Sequence, residues 1–229
     1  MRMATTSIDF HFDYLSPYAY LGWLQLRPLC AVRELELVPQ PLALGGLLKH
    51  WGQLGPAEIP PKALFTFKDC VRRAQRLGCA FRAPAFHPFN PLTALRVSLA
   101  EVAGSAQLRV VDALWQASWA SGRDVGSPEV IREVLDEIGL DGATLVERAG
   151  AQDVKDQLKA NTQRAIDLGV FGVPTILVEG ELFWGADQID WVALRLDGKD
   201  PLDRVSLAEI APQGAGQHRK REARTTPQA

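Results

Sequence analysis

This sequence predicts an α/β fold, with a βαβ start, a ββα end and a long all-α insertion between them. Three observations predict it. Residues 7–12 alternate loosely between apolar and polar and run into Asp13, as a strand does ahead of a turn. From about Leu44 to Leu168 almost every periodic segment is helical. After Gly169-Val170-Phe171-Gly172-Val173-Pro174, two short apolar runs return at 175–179 and 182–184 across Glu179-Gly180-Glu181, which reads as a hairpin.

In chain order, the first strand feeds a helix at Ser16-Pro17. Serine is a favoured N-cap, and proline suits the first helical position, where its missing N–H costs nothing. Tyr20, Leu21, Leu24 and Leu29 give that helix its core face. Residues 35–41 read as a second strand, whose prolines predict that it frays or leaves the sheet at its end. Residues 61–77 carry Leu64, Phe67, Val71, Ala74 and Leu77 at helical spacing. Asn90-Pro91 starts a helix through Leu92, Leu95, Leu99 and Val102, ended by Gly104. Leu108, Val111, Leu114, Trp115 and Trp119 form the stripe of the next, and both tryptophans read as core. Ser127-Pro128-Glu129 caps a helix that stops at Gly139, and two more start at Asp141 and about Gln152. A last helix covers residues 186–194. The expected organisation is one discontinuous domain, 1–43 with 169–211, split by a helical domain at 44–168. Residues 212–229, aperiodic and rich in Gly, Gln, Arg and Lys, read as a disordered tail.

The chain has 229 residues, 47% of them hydrophobic, enough for a full core. A formal net charge of −2 argues against nucleic-acid or anionic-membrane partners. No apolar run reaches the roughly 18–20 residues of a membrane span. The N-terminus shows no secretory h-region, so the cytoplasm is the default location. Cys30, Cys70 and Cys79 are odd in number and lack a C-x-x-C spacing, so they read as buried free thiols. His11, His50, His87 and His218 are scattered, with no partner at metal-ligand spacing.

Two segments carry chemistry. Ser16 opens a helix whose free N–H groups and positive end favour an anion. As an N-cap it is already accounted for, but its hydroxyl can also donate to a thiolate held over the same helix mouth. Far downstream, Val173-Pro174-Thr175 forms a turn into a strand. Thioredoxin-type folds set such a pair face to face, with a cis-proline loop opposite the helix mouth. A cis Val173–Pro174 bond would present the Val173 N–H and C=O as a strand-like edge for a cysteinyl peptide. Ser16-Pro17-Tyr18-Ala19 replaces the redox Cys-x-x-Cys, so the geometry points to another molecule's thiol.

The chain resembles the 2-hydroxychromene-2-carboxylate isomerases, related in fold to kappa-class glutathione transferases and DsbA-type oxidoreductases. The matching pieces are residues 12–21, Leu44-Gly45-Gly46-Leu47-Leu48-Lys49, Pro60-Pro61-Lys62, Asn90-Pro91-Leu92-Thr93-Ala94-Leu95-Arg96, residues 169–175 and Phe183-Trp184-Gly185-Ala186-Asp187-Gln188. The resemblance implies glutathione as cofactor, a small aromatic substrate and a homodimer. It implies that Ser16 meets the glutathione sulfur and that Val173, ahead of cis-Pro174, pairs with the cysteinyl backbone. It gives Lys62 the glycyl carboxylate and Asp187 the γ-glutamyl ammonium. From the residues alone, Lys62 is a solvated helix-start charge and Asp187 an N-cap. Tyr14 and Asn90 match secondary substrate positions, Asn90 serving equally as a helix cap. Gln53 stands where the family commonly has Asn, and Gln188 where it has Arg after the Asp. The activity implied is a glutathione-dependent isomerisation in aromatic, naphthalene-like catabolism. The alternatives are a kappa-like transferase or peroxidase and a non-catalytic glutathione-binding module.

Overall fold

The computed structural model describes residues 7–206; the tail expected at 212–229 lies outside them. Strands β1 (Ser7–Phe12), β2 (Glu36–Pro41), β3 (Thr175–Val178) and β4 (Glu181–Trp184) form one mixed sheet in the order β2-β1-β3-β4. β1 runs parallel to β2 and antiparallel to β3, and β3 pairs antiparallel with β4. Helix α1 (Pro17–Val32) is the crossover connection that joins these parallel neighbours. Glu179 and Gly180, with φ of 50° and 85°, make the tight β3–β4 turn, whose conformation suits a two-residue hairpin.

The second strand departs from expectation. β2 stays in register to its last residue, Pro41 opposite Phe12. It is an edge strand, and the N–H of the next residue, Leu42, donates inward to the Phe12 carbonyl at 3.0 Å. With a period of two, the nitrogens of Pro39 and Pro41 face the open edge, where no ladder bond is lost.

Every element between Leu44 and Asp167 is helical. These are α2 (Leu44–Trp51), α3 (Pro60–Leu77), α4 (Leu92–Val97), α5 (Ala100–Ala103), α6 (Gln107–Trp115), α7 (Pro128–Glu137), α8 (Gly142–Ala149) and α9 (Gln152–Asp167). Short 3₁₀ turns lie at Pro56–Glu58 and Gly104–Ala106. The helix expected through Leu92 and Val102 is broken in two. Ser98 bonds back to the Ala94 carbonyl at 2.8 Å and sideways to the Tyr14 hydroxyl at 2.7 Å, and Leu99 is extended at φ −68°, ψ 143°. The Trp115–Trp119 stripe continues past α6 through a π-helical turn, Gln116–Ala120. The last helix, α10 (Ile189–Leu196), starts later than expected: Asp187 lies in the turn before it. Gln188 is the N-cap and makes no side-chain cap bond, so the capping role considered for Asp187 is not met.

One buried cluster joins the sheet to the helices. Ile8, Phe10 and Phe12 share one face of β1 and are fully buried. Phe10 packs on Trp23 of α1 at 5.4 Å, and Phe12 and Tyr14 pack on Trp115 at 5.6 and 4.5 Å. Trp115 and Trp119 are thus core, as their spacing predicts. A smaller cluster on the opposite face holds Leu42, Leu47, Ala165 and Val170. Cys30, Cys70 and Cys79 are free thiols, and burial pushes Cys70 up to about 12. No described helix is long and apolar enough to cross a membrane.

Candidate functional site at the mouth of the first helix

The end of β1 is tied down before α1 begins. Asp13 is buried, with one carboxylate oxygen accepting from the Leu15 N–H at 3.0 Å and the other from the Leu44 N–H at 2.8 Å. One side chain thereby fixes both the turn into α1 and the start of α2. Burial pushes its carboxyl up to about 6, although both N–H donors pull the other way. The Trp119 indole donates to the Tyr14 carbonyl at 2.8 Å, and a His87 ring nitrogen lies 2.8 Å from the Leu15 carbonyl. Three elements therefore clamp the backbone just ahead of Ser16.

Ser16 sits at φ −96°, ψ 109°, with Pro17 as the first helical residue. Its hydroxyl accepts from the Ala19 N–H at 3.1 Å and donates to the Val173 carbonyl at 3.3 Å. One oxygen thus caps the helix and donates across the mouth. The bond to Val173 is long, and its proton is the one an anion over the mouth would take. The first turn of α1 holds no acidic side chain, so the positive helix end is uncompensated.

The loop opposite has a cis Val173–Pro174 bond, as expected. The Pro174 carbonyl accepts from Gly185 N at 2.9 Å, which holds the loop to the end of β4. The Val173 N–H has no backbone partner among the described residues. Helix α1 approaches this closely because of Gly22, where an added Cβ would lie 3.3 Å from Pro174 Cγ and 3.6 Å from Ala186 Cβ.

The mouth has two unlike flanks. On one, Trp51 donates its indole N–H to the Val170 carbonyl at 2.9 Å, and Phe171 and Trp184 meet edge to face at 4.9 Å. All three aromatic residues are exposed. Gly172 is required there, since a Cβ would come within 2.5 Å of the Trp184 indole nitrogen. On the other flank Tyr18 donates to Asp69 at 2.9 Å, and Arg73 bridges the same oxygen at 2.6 Å. Burial alone would raise the Asp69 carboxyl, but the bonds from Arg73 and Tyr18 outweigh it and hold it below its ordinary value. A cleft of about 380 Å³ opens there, lined by Gln25, Asp69, Arg73 and Asp187 among others.

The residues singled out in the sequence divide clearly. Ser16, Val173 and Pro174 are brought together, and Asp187 lines the adjoining cleft. Lys62 is exposed in the first turn of α3 and Gln53 is exposed just past α2. Neither makes a side-chain hydrogen bond or ion pair to the mouth among the described residues. Asn90 is exposed, and its side chain accepts from Leu92 N at 3.2 Å in a local turn; the N-cap position of α4 is Pro91, one residue later. Tyr14 must be corrected: it is fully buried behind the mouth with its hydroxyl on Ser98, so it has no face for a substrate. Arg73 and His87 were missed. Arg73 looks like one more charge on an amphipathic helix, and no spacing in the sequence places His87 beside Leu15. Among the described residues no group of three His, Cys, Asp or Glu side chains could hold a metal.

Known proteins give the family and the fold. A profile of the DSBA-like thioredoxin domain matches residues 7–197. The chain is 28% identical over 201 residues to glutathione S-transferase kappa 2 of Caenorhabditis elegans, covering 81% of this chain and 89% of that one. It is 26% identical over 191 residues to 2-hydroxychromene-2-carboxylate isomerase of Sphingobium xenophagum, covering 82% and 96%. Among solved structures, a 2-hydroxychromene-2-carboxylate isomerase superposes with a TM-score of 0.77 over 90% of this chain and 100% of that one. At 22% identity, that likeness speaks for the fold.

Proposed function

We propose that this chain, which belongs to the DSBA-like thioredoxin domain family, is a glutathione-dependent isomerase acting on compounds of the 2-hydroxychromene-2-carboxylate type. The observation that carries the proposal is the Ser16 hydroxyl at the helix mouth, 3.3 Å from the Val173 carbonyl, where a redox relative would need a cysteine. A serine cannot exchange disulfides, but it can donate to a thiolate.

The residues present suit glutathione. The Val173 N–H, free of backbone partners, and its carbonyl form an edge that can pair with the cysteinyl unit. Ser16 and the acid-free end of α1 stabilise the thiolate. An ordinary cysteine thiol has a pKa of about 8.5, so lowering it by about two units makes it mostly ionised at neutral pH. One charge-assisted hydrogen bond and a helix end are together worth about that, ~2–3 kcal/mol. In this arrangement Lys62 takes the glycyl carboxylate, Asp187 the γ-glutamyl ammonium, and Gln53 offers a further amide. When bound, glutathione would supply a thiolate nucleophile, whose reversible addition to a conjugated carbon would leave a single bond free to rotate, with no net use of thiol. Trp51, Phe171 and Trp184 offer aromatic surface to a planar aromatic substrate. The reaction is assigned to the cytoplasm, where thiols stay reduced, and to a homodimer, whose mass sedimentation would give.

The second reading is a kappa-like transferase, favoured by the kappa relative at 28% identity. The test is calorimetry with glutathione, then turnover of 2-hydroxychromene-2-carboxylate with the thiol counted before and after. An isomerase leaves the thiol count unchanged; a transferase consumes it. A chain that binds glutathione and turns over neither class of substrate is the non-catalytic module. A chain that does not bind it removes the proposal.

A further inference from the structure

The cleft beside Tyr18 is not a uniform charged surface. Asp187, in the turn before α10, faces a guanidinium from α3 across it. That guanidinium, Arg73, is held from two sides. Its Nε donates to Asp69 at 2.6 Å, and its centre lies 5.5 Å from the Tyr18 ring centroid, which is itself hydrogen-bonded to Asp69. Its two terminal nitrogens have no hydrogen-bond partner among the described residues, so the fork is oriented and free. Burial works against the Arg73 charge, but Asp69 first and then the charge of Asp187 outweigh it, which places those carboxylates within electrostatic reach. Gln188, next to Asp187, is neutral. Arg72 and Arg76 also line the cleft but are exposed and unanchored.

An exposed acid and an anchored, preorganised guanidinium lining one cleft suit a ligand with an ammonium and a carboxylate on one carbon. We propose that Arg73 is a specificity residue that binds the α-carboxylate of a free α-amino-acid head while Asp187 binds its ammonium. The cleft thereby selects γ-linked peptides such as glutathione over thiols that lack that head. The inference rests on the glutathione reading above. An ordinary peptide has no free carboxylate beside its terminal ammonium; a γ-glutamyl peptide does. Position along α3 agrees. Lys62, Asp69 and Arg73 are spaced seven and four residues apart, which puts all three on one face. Lys62 and Arg73 stand about 16 Å apart at about 1.5 Å per residue. Two long side chains reaching inward can span an extended tripeptide of roughly 10–12 Å. Asp69, between them, ties that face to Tyr18, two residues from Ser16.

The experiment is calorimetry with two ligands, glutathione and cysteinylglycine, which keeps the thiol and the glycyl end but lacks the γ-glutamyl head. Arg73→Met is expected to weaken glutathione by about 10- to 100-fold and to leave cysteinylglycine unchanged, as one lost charged hydrogen-bond pair implies. In that background Gln188→Arg, which returns a cation beside Asp187, is expected to recover part of the loss. Arg73→Lys keeps the charge without the planar fork and is expected to fall between; it serves if the methionine variant melts early. Equal weakening of both ligands, or unchanged glutathione affinity in both Arg73 variants, overturns the assignment while leaving the glutathione reading intact. If the unmodified protein binds neither ligand, that reading falls and takes this one with it.

Discussion

Two stretches of this chain, Asp13-Tyr14-Leu15-Ser16-Pro17 and Asp124-Val125-Gly126-Ser127-Pro128, share the pattern Asp-x-x-Ser-Pro and fold it the same way. In each, the Asp carbonyl accepts from the Ser N–H, at 3.0 and 3.1 Å, and an Asp carboxylate oxygen accepts from the next N–H but one, at 3.0 Å in both. In each, the serine hydroxyl accepts from the N–H three residues on, at 3.1 and 3.4 Å, and proline opens the helix. Their surroundings differ. The second mouth is at the surface, carries Glu129 in its first turn, and gives its hydroxyl proton to that glutamate at 2.7 Å. The first has no acid in its first turn, is 7% exposed at Ser16, and gives its proton to the Val173 carbonyl. One helix end carries its own anion, whereas the other is open to a foreign one. The lesson is that Asp-x-x-Ser-Pro builds a helix mouth, and what packs opposite makes it a site.

The comparison can be pressed hardest at Asp13, the buried member of the aspartate pair. Its carboxyl stands at about 6 against an ordinary 3.8, so in that window the native state holds a proton the unfolded chain has lost. Its contribution to stability therefore falls as pH rises from about 4 to about 6. His11, two residues earlier, is lowered by burial from 6.5 to about 4. There the unfolded chain holds the proton, so its contribution rises with pH across nearly the same window. Each amounts to about 3 kcal/mol at 1.36 kcal/mol per unit, and they oppose. Urea unfolding of the unmodified protein is expected to be nearly flat between about pH 4 and pH 6. Asp13→Asn should uncover a rise with pH, and His11→Gln a fall. Identical slopes in all three proteins would contradict the buried-charge account.

Next in size are the charges assigned to the cofactor's ends, which the second mouth has no counterpart for. Lys62→Ala and Asp187→Ala should each weaken glutathione by about 1–3 kcal/mol, with turnover at saturating glutathione little changed. Low turnover however much glutathione is added, with affinity intact, would mean that the tripeptide lies differently.

The serine pair gives the direct contrast. Ser16→Ala should cut turnover by about 10-fold or more and raise the pKa of the bound thiol, read from thiolate absorbance. Ser127→Ala should leave both untouched and cost about 1 kcal/mol of stability, seen as a lower melting temperature. Loss of activity in Ser127→Ala, or none in Ser16→Ala, would erase the distinction between the mouths.

Local signals in this sequence are strong wherever they are covalently near. β1, the capped starts of α1, α7 and α8, and the β3–β4 hairpin follow from alternation, capping residues and Gly180, because the groups that satisfy one another sit within a few positions. Ser16 and Val173-Pro174 were legible as a pair only through resemblance, since nothing local joins residues so far apart. Where side chains meet across the chain, periodicity misled. The break after Val97 needs Ser98 to meet Tyr14, and the burial of Tyr14 needs Trp115. β2 keeps its prolines because it lies at the sheet edge, a fact of strand order rather than of composition.

What the sequence alone determined is the order of strands and helical segments, the two helix mouths and the absence of a redox cysteine pair at the first. Tertiary structure decided which mouth faces a loop with a free N–H, which aspartate is buried, and that Arg73 from α3 stands opposite Asp187. The physical reason is range. Capping and turn bonds are closed within a few residues, whereas burial, desolvation and charge pairing depend on neighbours that only packing brings near.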